Sequence, residues 1–206
     1  MPEYCITGGT GFIAAYLVKA LLEKGHLVRT TVRDPEDVEK VGFLWELNGA
    51  MERLKMFNWQ QGTLNVLTSC SKARVKRVVL TSSCSSIRYR PDAQQVSPLK
   101  ESHWSDPEYC KNNNVQARGE YPNTTQGFVH IDDMVAAHIL AMGESKASGR
   151  LLCSSSVAHW YSGQKGDNNT QTMDTSKIAQ LGFPPFKTLE KMFDDCITSF
   201  QEKAFL

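Results

Sequence analysis

The chain has 206 residues, 41% of them hydrophobic, and a formal net charge of +1, enough for one domain or one domain and a small lobe. So balanced a charge leaves no electrostatic footprint for nucleic acid or an anionic membrane surface, and no apolar run approaches the roughly 20 residues that span a bilayer. The first residues run into a strand-like segment with no secretory pattern. The six cysteines (Cys5, Cys70, Cys84, Cys110, Cys153, Cys196) form no C-x-x-C pair. Free thiols in a reducing compartment, and so a cytoplasmic location, are the expectation.

Residues Tyr4 to Ala14 read YCITGGTGFIA, an apolar run that breaks into glycines and continues as a helix. Strand, tight turn and helix N-terminus in that order cradle a dinucleotide pyrophosphate. Gly8 and Gly11 permit the turn and the approach of backbone to phosphate, and Ala14 lets helix and strand pack closely. Past Thr10, the amides of the first helical turn at Phe12 and Ile13 and the positive end of its dipole face the anion. The helix is predicted from about Phe12 to Lys24, with Ile13, Leu17, Leu21 and Leu22 as its apolar stripe and Gly25 as its stop.

Leu27 to Pro35, LVRTTVRDP, alternates and is rich in β-branched residues, which predicts a second strand. NAD sites usually place an acidic residue near its end for the ribose 2′-hydroxyl. Here Arg33 stands there, with Lys40 one helical stretch further on, and such cations suit a 2′-phosphate. NADP is therefore expected over NAD. Asp34 is placed to cap a helix over roughly Glu36 to Asn48.

Met51 to Trp59 is ambiguous and could be the stub of a third strand. Gly62 to Ser71 reads as helix, and Val75 to Ser82 as a buried strand ending in the hydroxyl-rich TSSCSS. Ile87 to Gly127 is loop-like. Phe128 to Ile131 reads as strand, with Asp132 or Asp133 capping a helix to about Met142. Leu151 to Ser154 reads as another strand, Tyr161 to Thr172 as a polar loop, and Leu189 to Lys203 as an amphipathic helix. Trp45, Trp59 and the Phe183 to Phe186 cluster are expected in the core. His130, Asp132, Asp133 and His138 could suggest a metal, but a strand-to-helix turn sends their side chains apart, and structural roles are expected for them. Cys110, His103 and Asp106 lack the strand-turn-helix elbow of a nucleophile set.

TGGTGFIA, TTVRDPEDVEK, GTLNVLTSC, VKRVVLTSS, ESHWSDPEYCK and GFVHIDDMVAAHILAM occur in this order in plant NADP-dependent reductases of the extended short-chain dehydrogenase/reductase superfamily. The chain resembles the group of dihydroflavonol 4-reductases, cinnamoyl-CoA reductases and tetraketide α-pyrone reductases, over nearly its whole length. The resemblance implies an α/β fold: an NAD(P)-binding, Rossmann-like, doubly wound parallel sheet, here abbreviated, with a reduced C-terminal substrate lobe. Residues 1–111 are expected to form the NADP-binding domain, and 112–206 the remnant of the remaining fold and lobe. It also implies a small-molecule carbonyl substrate of phenylpropanoid or polyketide origin.

The resemblance is interrupted twice. Between Arg33 and Val78 the chain holds two helices and little else, so the sheet is expected to lack two strands that the family has there. After Lys111 the family's Tyr-x-x-x-Lys helix is missing. Hydride reduction of a carbonyl needs an acid to protonate the oxygen, and in the superfamily that acid is the tyrosine, its pKa lowered by a lysine on the same helix face. Ser83 matches the serine that holds the carbonyl oxygen. Tyr161 and Lys165 match the pair by count, but Gly163 and Gly166 argue against a helix there. Tyr109 is nearer the family position but has Asn113 where the lysine belongs. An abbreviated sheet exposes an edge, and low solubility or a homodimer that covers the edge is expected.

Overall fold

The computed structural model describes residues 2–58, 62–93, 95–112, 125–159 and 171–202. Its packing forms two compact units, Met1–Val79 and Leu80–Leu206. The first is built as β1 (Glu3–Ile6), α1 (Phe12–Glu23), β2 (Leu27–Val32), α2 (Val38–Trp45), α3 (Ala50–Arg53), β3 (Leu54–Asn58) and α4 (Thr63–Lys72). Its three strands are parallel in the order β1-β2-β3. In β2, Val28, Thr30, Thr31 and Val32 are buried while Leu27 and Arg29 are exposed, so the strand alternates at its start and is covered on both faces at its end. Leu17, Val18, Leu21 and Leu22 of α1 and Val41 and Leu44 of α2 complete that core. Burying a Leu or Val side chain contributes roughly 1.5–3 kcal/mol, so this stripe is the main stabilising feature of the unit.

The shortage of strands is smaller than the sequence implies. β3 forms, and pairs with β2 from Val28↔Leu54 to Val32↔Asn58. The short α2–α3 connection is long enough to return the chain for a parallel crossover. A buried strand over Val75 to Ser82, by contrast, is not observed. That segment joins no ladder, and Val75, Val78 and Leu80 are 49%, 46% and 63% exposed. The boundary between the two units falls inside it at Val79–Leu80, and β-branched residues favour a strand only where a neighbouring strand pairs with them. Trp45, expected in the core, is exposed at the end of α2.

The second unit carries α5 (Ser85–Arg88), α6 (Pro107–Asn112), β4 (Thr125–Phe128), α7 (Ile131–Gly143), β5 (Ser156–His159), α8 (Ser176–Gln180) and α9 (Leu189–Glu202). β4 and β5 pair antiparallel. Both strands are displaced from the segments expected at Phe128–Ile131 and Leu151–Ser154. His130 ends the first early: its Nδ1 accepts the Asp132 amide and caps α7, the position expected of an aspartate. Ala137, Ile178 and Phe183 form one core cluster of the unit, with Leu140, Cys153 and Phe186 packed against it, and Ile87, Leu99 and Val135 are buried as well.

Candidate functional site

The glycine loop between β1 and α1 is held by two adjacent threonines of β2. The Gly8 amide donates to Thr31 Oγ1 at 3.1 Å, and the Gly9 amide to the Thr31 carbonyl at 2.8 Å. Thr30 faces the other way, wholly buried, and its hydroxyl donates to the Ile6 carbonyl at 2.9 Å. Gly8 has φ +70, a conformation that suits glycine. At Gly9 the constraint is space: an added Cβ would lie 2.2 Å from Thr30 Oγ1 and 2.9 Å from its Cγ2. The chain can pass this close to β2 only as glycine.

Gly11 is the N-cap of α1. No side chain caps this end and no acidic residue lies in the first turn. The amides of Phe12 and Ile13 therefore have no intrahelical acceptor, and the positive end of the helix dipole lies beside them. Thr10 is exposed, and Phe12 is 68% exposed with its ring 5.1 Å from that of Tyr16. A narrow backbone cradle with unclaimed amides fits a dinucleotide pyrophosphate.

Arg33 follows β2 directly and is exposed. Lys40 lies in the first turn of α2, and its ammonium is paired with Asp37, the N-cap of that helix. That hydrogen bond holds the Asp37 carboxyl below the usual carboxylate range. Asp37, not Asp34 as expected, caps this helix; Asp34, three residues earlier, accepts the Glu36 amide with its Oδ1 at 2.9 Å in the turn that leads to it. Arg33 and Lys40 thus differ in readiness: Lys40 already has an anionic partner.

Ser83 lies in the second unit and is exposed. Its Oγ accepts the Ser85 amide at 3.1 Å, and its carbonyl accepts both the amide and the hydroxyl of Ser86. This turn opens α5. Accepting from Ser85 uses a lone pair of Oγ and leaves the hydroxyl proton to donate to a carbonyl oxygen. Two residues earlier, Thr81 Oγ1 lies 2.7 Å from Nε2 of the buried His138, whose Nδ1 lies 2.7 Å from the Met134 carbonyl. A carbonyl only accepts, so in the neutral imidazole Nδ1 carries the proton and Nε2 accepts from Thr81. Tyr161 and Lys165 lie outside the described residues.

The remaining candidate groups have structural partners. Asp133 Oδ2 accepts the Lys187 amide at 2.7 Å, and Asp132 is paired with the Lys187 ammonium. Asp106 caps α6 through the Glu108 and Tyr109 amides. Burial, reinforced by the Asp133 charge, pushes the Cys153 thiol up to about 12, which leaves it unreactive as a nucleophile.

Gly9, Thr30, Thr31 and the partnership of His138 with Thr81 do not stand out in the sequence. The signal for the first three was the adjacent TT in the strand facing the glycine loop. The signal for His138 was faint, because a histidine on a helix reveals nothing of what it reaches.

The NAD dependent epimerase/dehydratase family is matched over residues 4–46, the span of the glycine loop and the first two β-α units. The chain is 44% identical to tetraketide alpha-pyrone reductase 2 of Arabidopsis thaliana over 321 aligned positions, covering 100% of both proteins. Those 321 positions against 206 residues leave at least 115 opposite gaps in this chain, which makes it a shortened relative. It is 31% identical to cinnamoyl-CoA reductase 1 of Petunia hybrida, over 75% of this chain and 73% of that protein. Among solved structures, vestitone reductase from Medicago sativa has the same fold, at a TM-score of 0.77 and 23% identity over 99% of both chains.

Proposed function

From the premise that the chain belongs to the plant dihydroflavonol 4-reductase and cinnamoyl-CoA reductase group of extended short-chain dehydrogenases/reductases, we propose that it binds NADPH in preference to NADH and has lost the group's carbonyl-reducing turnover. Its family is one of NAD(P)-dependent reductases acting on small molecules. In this reading residues 1–111 carry the cofactor site and 112–206 are the remnant of the substrate lobe.

The observation that carries the binding half is the loop at Gly8–Gly11. Gly9 has no room for a Cβ, and the first turn of α1 has no side-chain cap. Such a loop orders backbone donors for the pyrophosphate before any ligand arrives. Arg33 supports the preference for NADP, since its exposed guanidinium matches a 2′-phosphate where NAD sites carry an acid.

When bound, the cofactor would supply the hydride for a carbonyl carbon. The chain must supply a proton to the oxygen and hold the substrate in line. Ser83 is, by the family resemblance, the residue that would hold that oxygen, and its hydroxyl proton is left for such a bond while its own oxygen accepts from Ser85. Among the described residues no tyrosine is followed by a lysine four positions on. In the whole sequence only Tyr161 and Lys165 have that spacing, with Gly163 between them. A missing general acid costs about 10²–10⁴-fold in rate, and lost alignment adds to this.

The test is NADPH consumption by purified protein with tetraketide pyrone, dihydroflavonol and cinnamoyl-type carbonyls, beside Ser83→Ala and Tyr161→Phe. The expected result is turnover at background for all three proteins, while fluorescence titration shows NADPH bound. Robust turnover abolished by Tyr161→Phe refutes the loss of catalysis and establishes the Tyr161–Lys165 pair as the acid.

A further inference from the structure

The two cations that follow β2 stand among acids. From Arg33 to Lys40 the sequence reads RDPEDVEK, two bases against the four acids Asp34, Glu36, Asp37 and Glu39. That excess of negative charge opposes an anionic ligand. Asp34 is engaged with the Glu36 amide, whereas Asp37 is engaged with Lys40 twice. Its Oδ1 accepts the Lys40 amide at 3.3 Å, and its Oδ2 accepts the Lys40 ammonium. The second bond holds the Asp37 carboxyl below the usual carboxylate range. One carboxylate thus occupies an amide at a helix start and the ammonium beside it, the two kinds of donor that a phosphate seeks. Arg33 has neither an ion pair nor a hydrogen bond among the described residues.

We propose that Asp37 sets the selectivity of the cofactor site through Lys40: its carboxylate is a resident anion that competes with the ligand's 2′-phosphate for the Lys40 ammonium. The inference rests on the NADPH reading of Arg33. In the free protein Lys40 is engaged, and Arg33 is the cation ready for the phosphate. For Lys40 to join it, the ammonium must leave Asp37 and uncover a carboxylate beside the incoming anion. The exchange trades one exposed ion pair for another, and such pairs are nearly equal in worth. Lys40 therefore adds little while residue 37 is charged. A neutral residue there frees the ammonium from that bond and makes it a second cation for the phosphate. NADH lacks the 2′-phosphate, so the effect falls on NADPH alone. Asp37 acts through Lys40 and is a positioning residue.

The experiment is fluorescence titration of the full chain with NADPH and with NADH at low salt, for wild type, Asp37→Asn, Lys40→Gln and the double variant. Asparagine caps a helix as well as aspartate does, so Asp37→Asn removes the charge and keeps the cap; circular dichroism checks each fold. Asp37→Asn should bind NADPH about three- to fivefold more tightly than wild type, with NADH unchanged and the gain shrinking as salt is added. In the Lys40→Gln background the same change should give no gain. Lys40→Gln alone should alter NADPH affinity by less than about twofold, since the ammonium it removes is already taken. No gain in Asp37→Asn overturns the inference. A gain of equal size without Lys40 overturns it too, because Asp37 would then act by repulsion alone. So does a loss in Lys40→Gln as large as that in Arg33→Ala. If wild type prefers NADPH, any of these results refutes the role of Asp37 and leaves the NADPH reading standing. A wild type that binds both cofactors alike refutes the two together.

Discussion

Gly9→Ala is the sharpest perturbation of the cofactor loop, because the structure says what its methyl would meet. The new Cβ would be 2.2 Å from Thr30 Oγ1, 2.9 Å from Cγ2 and 3.1 Å from Cβ. Rotating Thr30 does not help, since rotation brings its methyl or hydroxyl into the same space. Thr30 is wholly buried, and its hydroxyl satisfies the Ile6 carbonyl. Overpacking of this kind costs about 1–3 kcal/mol, and an orphaned buried carbonyl about 1–3 kcal/mol more. Gly9→Ala should therefore destabilise the first unit by roughly 2–6 kcal/mol, a large share of the ~5–15 kcal/mol of an ordinary domain. Thr30→Ala alone should cost about 1–3 kcal/mol for the lost hydrogen bond. In the double variant the two worst contacts disappear but the 3.1 Å Cβ contact remains. The cost should fall short of the sum of the singles by about 1–3 kcal/mol. Urea denaturation of the four proteins measures this cycle, and NADPH titration follows the loop itself. Gly8→Ala is the control: it has nothing within 4 Å but φ +70, and should cost only about 1–2 kcal/mol. Additive singles, or a Gly9→Ala protein as stable as wild type, would refute the reasoning.

Three further outcomes are expected. Arg33→Ala removes a charge-assisted phosphate contact of about 1.5–3 kcal/mol, so titration should show NADPH weakened at least tenfold with NADH unchanged; equal affinities in the wild type would refute the preference. Cys153, its thiol raised to about 12 by burial from an ordinary 9.0, should resist alkylation at pH 8 until the protein is unfolded. Because its folded pKa is the higher one, the stability it contributes is complete below pH 9 and fades as pH rises toward 12. Urea midpoints should thus fall less steeply over that range in Cys153→Ala than in wild type.

The sequence by itself determined the β1–α1–β2 part of the first unit. Strand, glycine turn, helix and second strand depend on local pattern: the β-branched alternation of LVRTTV, the apolar stripe of α1 and the turn at Gly8 are legible within a few residues. The place of Arg33 after β2 follows from the same local order. The helices over Ile131–Gly143 and Leu189–Glu202 were legible for the same reason. What no local pattern contains is pairing. Val75 to Ser82 has the composition of a strand, yet it joins no ladder and its apolar side chains are largely exposed. β3 looked like a stub, yet it pairs with β2 along its whole length. Only tertiary structure decided that Gly9 is fixed by Thr30 rather than by a turn, that His130 takes the cap of α7 before either aspartate, and that His138 reaches Thr81. Each depends on groups from separate elements meeting within hydrogen-bond or contact distance, and that distance is set by how the elements pack.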